Sequence, residues 1–187
     1  ANLIKKKELD GLRDDELKKA RSAQVRQQKQ KIADQGGIII ESARDYDSMC
    51  ESYMRTVDIR FYRDEWYQYD AGVYKLVPET EFKAQLRLYI SEFVSYIDQK
   101  GFPERYLPDI NAVAQFETAL RSFRIISSSN DLPLWLAADL SQGQTIINFT
   151  NGLLLLQSST LIEHTPKLFS TSQLAFDYEP AAECPLF

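Results

Sequence analysis

Apolar positions are sparse over the first 35 residues and do not form a continuous stripe. Strong helix formers dominate residues 8–34, with acidic residues in the front half and basic residues in the back half. This pattern predicts a long polar helix that ends at Gly36-Gly37, because paired glycines interrupt helices. A solvated helix that connects two parts of a protein is favoured, and a basic arm that contacts nucleic acid is the alternative.

Aromatic and β-branched residues dominate the next part of the chain, residues 57–77, after a short helix predicted over about 42–56. They predict two strands, a turn at Asp70-Ala71-Gly72 and a further strand, since Gly72 can adopt the left-handed conformation of a tight turn.

Two amphipathic helices follow these strands. Apolar residues spaced three and four apart predict one helix over 79–99 and a second over about 109–124, with Asp109 as its N-cap. The buried face expected for the second helix consists of Ile110, Val113, Phe116, Leu120 and Phe123.

The last third of the chain returns to strands, at 134–136, 145–149, 153–156 and 161–164, with Asn151-Gly152 as a hairpin turn signal. The predicted fold class is therefore α+β, a central helical pair flanked by antiparallel β-hairpins, with a long polar N-terminal helix. The expected organisation is a connecting helix at 1–37, an α+β domain at 38–179 and the start of a linker at 180–187.

Charge and chemistry narrow the function. The first 35 residues hold ten Lys/Arg against six Asp/Glu, whereas the whole chain has a net charge of −5, so the remainder is acidic. A non-specific duplex-DNA binder would carry a broad basic surface. With two cysteines and one histidine, and with no phosphate-binding loop or nucleophile elbow, we expect no disulfide, metal site, cofactor or catalytic site in this chain. We also expect no membrane span, and a cytoplasmic location.

Aromatic residues interleaved with basic ones between positions 55 and 75 are the main candidate binding feature. Such rings can stack on single-stranded bases, but they can equally pack onto the helices that follow, which is favoured. Because side chains alternate along a strand, we expect one face to be buried and some rings to be exposed. The candidate nucleic-acid-binding residues are Arg55, Arg60, Arg63, Trp66, Tyr67 and Lys75.

Two stretches, residues 60–86 (RFYRDEWYQYDAGVYKLVPETEFKAQL) and 146–187 (beginning IINFTNGLLLLQSSTLIEHTPKLF), resemble DNA primase-helicases of phages, plasmids and poxviruses. Ala71 and Leu155 depart from that pattern, which has a glycine and commonly an acidic residue there. The residues that match as structural motif positions are Asp70, Gly72, Tyr74, Asn148, Asn151, Gly152, His164, Pro166, Tyr178, Pro180, Cys184 and Pro185.

The resemblance implies a fragment of a longer replication protein, lying just ahead of a superfamily 3 helicase motor of the AAA+ type. It implies a non-catalytic accessory domain that couples or positions the ring helicase, with binding of single-stranded or origin DNA as the alternative. The implied partners are the helicase and primase domains of the parent, and single-stranded or forked DNA. ATP and Mg²⁺ are expected only in the missing motor. We expect this chain to be a monomer or weak dimer and the parent to be hexameric.

Overall fold

The computed structural model describes residues 2–136 and 145–181, with their side chains except those of residues 2–12 and 14. The helices in these ranges are α1 (Asn2–Asp34), α2 (Tyr46–Thr56), α3 (Glu79–Phe93) and α4 (Ile110–Arg124). The strands are β1 (Ile38–Ile40), β2 (Ile59–Tyr62), β3 (Glu65–Asp70), β4 (Val73–Val77), β5 (Val94–Ile97), β6 (Pro103–Arg105), β7 (Leu134–Trp135), β8 (Ile146–Phe149), β9 (Gly152–Leu155), β10 (Thr160–Ile162) and β11 (Leu168–Phe169).

The chain divides into two compact units. The first unit consists of Ala1–Tyr53 and Lys83–Ala119, and the second consists of Met54–Phe82 and Leu120–Phe187. Helices and small sheets occur together, so the α+β class predicted from the sequence is confirmed. Within the described ranges, no helix is both long enough and apolar enough to cross a bilayer.

Helix α1 is the polar N-terminal helix predicted from the sequence, and it ends in a glycine cap. Gly36 has a φ of +74°, and the N–H groups of Gly36 and Gly37 donate to the carbonyls of Ala33 and Ile32, each at 2.9 Å. This pair of bonds is a Schellman motif, which satisfies carbonyls that the helix end would leave free. Between residues 15 and 34, only Val25, Gln28 and Ile32 are half-buried.

The first unit contains a three-stranded sheet in the order β1-β5-β6, with β1 and β5 parallel and β5 and β6 antiparallel. The sequence prediction of a helix over 79–99 was therefore wrong beyond Phe93. Val94 and Ile97 continue the helical spacing of apolar residues, but Val94 pairs with Ile38 in the sheet instead. The core of this unit consists of Ile40, Met49, Cys50, Tyr53, Leu86, Tyr89, Ile90, Val94, Val113 and Phe116.

Helix α4 begins where the sequence predicted, with the backbone N–H of Ala112 donating to Asp109 Oδ1 at 2.7 Å. Its expected buried face is only partly correct. Ile110 is 81% exposed and Phe123 is 48% exposed, although the apolar spacing predicted that both would be buried.

The second unit contains the predicted β-meander, in the order β2-β3-β4. Both of its turns have two consecutive residues with positive φ, Arg63 (50°) and Asp64 (63°) in the first, and Ala71 (49°) and Gly72 (93°) in the second. Such turns match the right-handed twist of the strands they connect.

Both faces of the meander carry buried rings, so the expectation that only one face would be buried was wrong. On one face, the Trp66 ring stacks on Phe82 with centroids 4.4 Å apart. On the other face, Tyr62 and Tyr74 pack edge-on against Phe169, at 5.5 and 4.9 Å. Phe169 belongs to the two-stranded ribbon of β7 and β11, which the meander alone could not reveal.

The β8-β9-β10 sheet forms the third antiparallel set in the second unit. Phe149 pairs with Gly152, so Thr150 and Asn151 occupy the turn and Gly152 begins the return strand. The turn therefore lies one residue earlier than an Asn-Gly signal suggests. Gly152 is needed for a different reason, because a Cβ there would lie 2.6 Å from the carbonyl oxygen of Ile162 on β10.

Candidate functional site

The turn of the first motif segment lies directly against the second motif segment. A Cβ added to Gly72 would lie 2.6 Å from Cδ2 of the His164 ring, and Asn148 Nδ2 donates to the carbonyl of Gly72 at 3.0 Å. The residues joined by that hydrogen bond are 76 positions apart. The two segments that resemble the primase-helicases therefore meet in the fold of the second unit.

His164 is held by hydrogen bonds within this network. Its Nε2 lies 2.8 Å from the carbonyl oxygen of Phe149 and 3.1 Å from Asn148 Oδ1. A carbonyl oxygen only accepts hydrogen bonds, so Nε2 carries the proton and donates. Gln173 Nε2 donates to the same Phe149 carbonyl at 3.2 Å. These hydrogen bonds fix the orientation of the imidazole against Gly72, with Nε2 as the hydrogen-bond donor to the Phe149 carbonyl.

Tyr74 and Pro166 extend the contact between the segments. The Tyr74 hydroxyl donates to the Pro166 carbonyl at 2.6 Å, and the Tyr74 backbone N–H donates to the Ser170 carbonyl at 2.8 Å. Tyr74 is almost fully buried, and this burial raises the pKa of its phenol to about 12. The phenol therefore stays neutral and acts as a hydrogen-bond donor at neutral pH.

Residues 174–178 run alongside β8 and the turn that follows it, and they are hydrogen-bonded to both. Leu174 N–H donates to the Asn148 carbonyl at 2.8 Å, and Thr150 N–H donates to the Phe176 carbonyl at 3.2 Å. The side chain of Asn151 forms a reciprocal pair with the backbone of Tyr178, at 2.9 and 3.1 Å. Asn151 therefore fastens this strip of chain to the hairpin turn.

The remaining motif residues have peripheral positions or are not described. Asp70 Oδ2 and Lys75 Nζ form an ion pair at 2.6 Å, and both side chains are largely exposed. Pro180 is exposed. Cys184 and Pro185 lie outside the described residues, as does most of the expected linker at 180–187. Within the described ranges, no group of three or more His, Cys, Asp or Glu side chains could hold a metal ion.

The structure does not bring the six candidate nucleic-acid-binding residues together on one exposed surface. Trp66 is only 3% exposed, and because its ring is stacked on Phe82 it cannot stack on a base in this conformation. Lys75 projects from the same face of the meander as Trp66, whereas Arg60 and Tyr67 project from the opposite face. The burial of Trp66 and the ion pair between Asp70 and Lys75 both argue against the hairpin as a surface on which nucleic-acid bases stack.

Five of the six candidates remain at least partly accessible, and Trp66 is the exception. Arg63 is exposed, with its guanidinium 4.9 Å from the centroid of the Tyr62 ring, and Arg55 is also exposed. Tyr67 is half-buried and donates from its hydroxyl to Glu65 Oε2 at 2.9 Å, and burial is the main cause of its raised pKa. Arg60 is half-buried, and desolvation lowers its pKa from the ordinary arginine value.

A family model described as "D5 N terminal like" matches residues 47–187, about three quarters of the chain. The chain belongs to this family. D5 N-terminal-like domains occur in phage and viral primase-helicase proteins, ahead of the helicase motor. The resemblance identified from the sequence is therefore confirmed. A comparison with curated proteins gives no match.

The D5 N-terminal-like match includes the hairpin turn and the His164 network but not helix α1. In this domain the described motif residues mainly join backbone segments to one another. Most of the hydrogen bonds of Asn148, His164 and Asn151 go to main-chain carbonyls or N–H groups of the second unit.

Sequence reasoning missed an apolar groove in the first unit. The groove has a volume of about 310 Å³, and it includes the first turn of α4. Ile110 is 81% exposed there because the apolar stripe of α4 continues beyond the core. Leu107, just before this turn, is 76% exposed. The lining residues are Lys83, Ala84, Arg87, Ile110, Val113 and Ala114.

Proposed function

We propose that this chain is the non-catalytic accessory domain of a replicative primase-helicase, which couples or positions a superfamily 3 ring motor. The observation that carries this proposal is the use of the motif residues. Gly72, Asn148 and His164 hold two hairpins together. The motif residues therefore stabilise the fold of this domain, and we assign ATP hydrolysis and DNA unwinding to another part of the parent protein. ATP and Mg²⁺ belong to the motor in this proposal.

The apolar groove of the first unit supports a protein-docking role. Clustered exposed apolar side chains on a folded protein mark interaction surfaces more often than isolated ones do. Ile110 lines the groove and is largely exposed, and Leu107, three residues earlier and ahead of α4, is also largely exposed. We assign this surface to contact with the helicase motor of the same parent protein.

The test uses the parent protein with Ile110→Ser, which alters the groove lining, combined with Leu107→Ser just ahead of it; we call these two substitutions the groove pair. The matched control is Leu76→Ser with Ile125→Ser, which removes two other exposed apolar side chains (52% and 61%). We expect the groove pair to weaken association with the motor by about tenfold, corresponding to about 1.4 kcal/mol. Sedimentation velocity should then show fewer hexamers, and unwinding of forked DNA per ATP hydrolysed should fall.

Two results would count against the proposal. Equal effects of the groove pair and the control pair would remove the groove from the coupling role. Hydrolysis of ATP by the isolated chain would remove its non-catalytic role. We expect the isolated chain itself to sediment as a monomer or weak dimer.

DNA contact by the hairpin is the second candidate function. The observation that favours it is Arg63, whose exposed guanidinium is held over the Tyr62 ring. Arg63→Ala should then weaken binding to labelled single-stranded DNA in fluorescence anisotropy. Unchanged binding in this variant would exclude the hairpin as the main contact.

A further inference from the structure

Helix α1 carries a segment of unbalanced positive charge. Six basic residues and no acidic residue occur between positions 18 and 31, and the nearest acidic residues along the helix are Glu16 and Asp34. All six basic side chains are exposed. They are Lys18, Lys19, Arg21, Arg26, Lys29 and Lys31.

One of these cations, Arg21, packs against the first unit. The Arg21 guanidinium lies over the Phe102 ring, 5.1 Å from its centroid, and it donates to the Lys100 carbonyl. This contact and the half-buried Val25, Gln28 and Ile32 hold α1 against the unit. The helix therefore presents its other side chains from a fixed position.

Four of the remaining cations share one flank of the helix. With about 100° of rotation per residue, Lys18, Lys19, Arg26 and Lys29 fall within an arc of about 100°. They span about 16 Å along the axis, at 1.5 Å per residue. Among the described side chains, none of the four takes part in an ion pair. We call these four residues the basic stripe.

We propose that the basic stripe binds the phosphate backbone of nucleic acid. A row of exposed cations is sufficient for phosphate contacts, which need charge and spacing but no base recognition. A membrane surface is disfavoured, because an interfacial helix needs a broad apolar face beside its cations. Between residues 18 and 32 the apolar side chains larger than alanine are Val25 and Ile32, and both are half-buried in the first unit, so only Leu17, just before this range, is a large exposed apolar side chain.

This inference goes beyond the proposed function. Helix α1 lies outside the residues that match the D5 N-terminal-like family, and the partner is nucleic acid instead of the motor. The basic stripe also differs from the hairpin candidates, which belong to the second unit. Failure of the basic stripe would therefore leave the groove experiment unaffected.

The expected affinity follows from counterion release. Four phosphate contacts to a single strand give a slope of log K against log salt concentration of about −2.8. Raising the salt concentration fourfold, from about 50 to about 200 mM, should therefore weaken binding by about 50-fold. A non-specific Kd of about 100 μM at about 200 mM salt then corresponds to a Kd of about 2 μM at about 50 mM.

The experiment measures fluorescence anisotropy of a labelled thymidine oligonucleotide titrated with the full chain across that salt range. The stripe variant combines Lys18→Gln, Lys19→Gln, Arg26→Gln and Lys29→Gln. The control variant, at exposed positions off the stripe, combines Arg13→Gln, Lys31→Gln, Lys100→Gln and Lys167→Gln. Both variants remove four positive charges, and Gln preserves helix propensity. Far-UV circular dichroism checks the helix content of both.

We expect the stripe variant to lose more than tenfold in affinity and most of the salt dependence, and the control to lose less than about threefold. Equal losses in both variants would overturn the proposal in favour of a net-charge effect. Absence of binding by the unaltered chain at low salt would also overturn it. Stronger, stripe-dependent binding to phosphatidylserine vesicles than to DNA would overturn it in favour of a membrane surface.

Discussion

Replacement of Gly72 by Ala tests whether the meander turn is fitted against the His164 ring. Gly72 has a φ of +93°, and an added Cβ would lie 2.6 to 2.8 Å from three atoms of that ring. Left-handed backbone strain costs about 1 kcal/mol, and forced overlap in a packed contact costs about 1–3 kcal/mol. We expect Gly72→Ala to lower the free energy of unfolding by about 2–4 kcal/mol.

A double-mutant cycle separates the two contributions. In the His164→Ala background the ring is absent, so Gly72→Ala should cost only the strain of about 1 kcal/mol. Urea unfolding followed by tryptophan fluorescence is the suitable assay. The two tryptophans of the chain, Trp66 and Trp135, both belong to the second unit, which also contains Gly72 and His164.

Ala71→Gly provides a control in the same turn. Ala71 has a φ of 49° and is exposed, so glycine there relieves strain without touching the ring. The gain should be small, about 0.5 kcal/mol, since glycine also makes the unfolded chain more flexible. The reasoning is refuted if Gly72→Ala costs the same with and without the His164 ring, or if it costs under about 0.5 kcal/mol.

Two further predictions concern burial. Trp66→Ala should lower the free energy of unfolding by about 3–5 kcal/mol, because it removes a ring stacked on Phe82; weaker DNA binding with unchanged stability would instead restore the stacking role. Burial raises the pKa of the Cys50 thiol from 9.0, and that of the Tyr53 phenol from 10.0, to about 12. The unfolded state therefore loses these protons first, so stability should fall as pH rises from about 9 to 12. A urea midpoint measured by circular dichroism that stays constant over this range would contradict this, and Cys50→Ala should flatten the lower part of the fall.

Local signals predicted the elements whose causes are local. The helix start at Asp109 follows from a side chain that caps the first free N–H groups, and the bond from Ala112 confirms it. The turn at Gly72 follows from a positive φ that glycine tolerates. Each of these features depends on residues only a few positions apart.

The failures arose where distant residues decide the outcome. Helix α3 ends at Phe93 because Val94 pairs with Ile38, far earlier in the chain, although the apolar spacing continues without a break. The meander carries buried rings on both faces because Phe169 packs against Tyr62 and Tyr74 on the second one.

The candidate site divides in the same way. The sequence resemblance located the family and the motif residues, including His164 and Asn148. The resemblance could not reveal that the Gly72 turn packs against the His164 ring, because the two residues belong to separate chain segments of the second unit. The exposed Ile110 was also beyond reach, because it continues the same helical stripe as the buried Val113.

The strip of chain from Leu174 to Tyr178 has a mechanical consequence. Its hydrogen bonds to β8 and to the turn after β8 follow one another in the same order along both segments, from Asn148 to Asn151. A pulling force directed along β8 would load all of these bonds together, as in shear. A force applied at the Tyr178 end of the strip and directed away from β8 would load the Asn151–Tyr178 pair first and break the hydrogen bonds one at a time. We therefore expect the strip to detach at a higher force when it is pulled along β8 than when it is pulled away from β8.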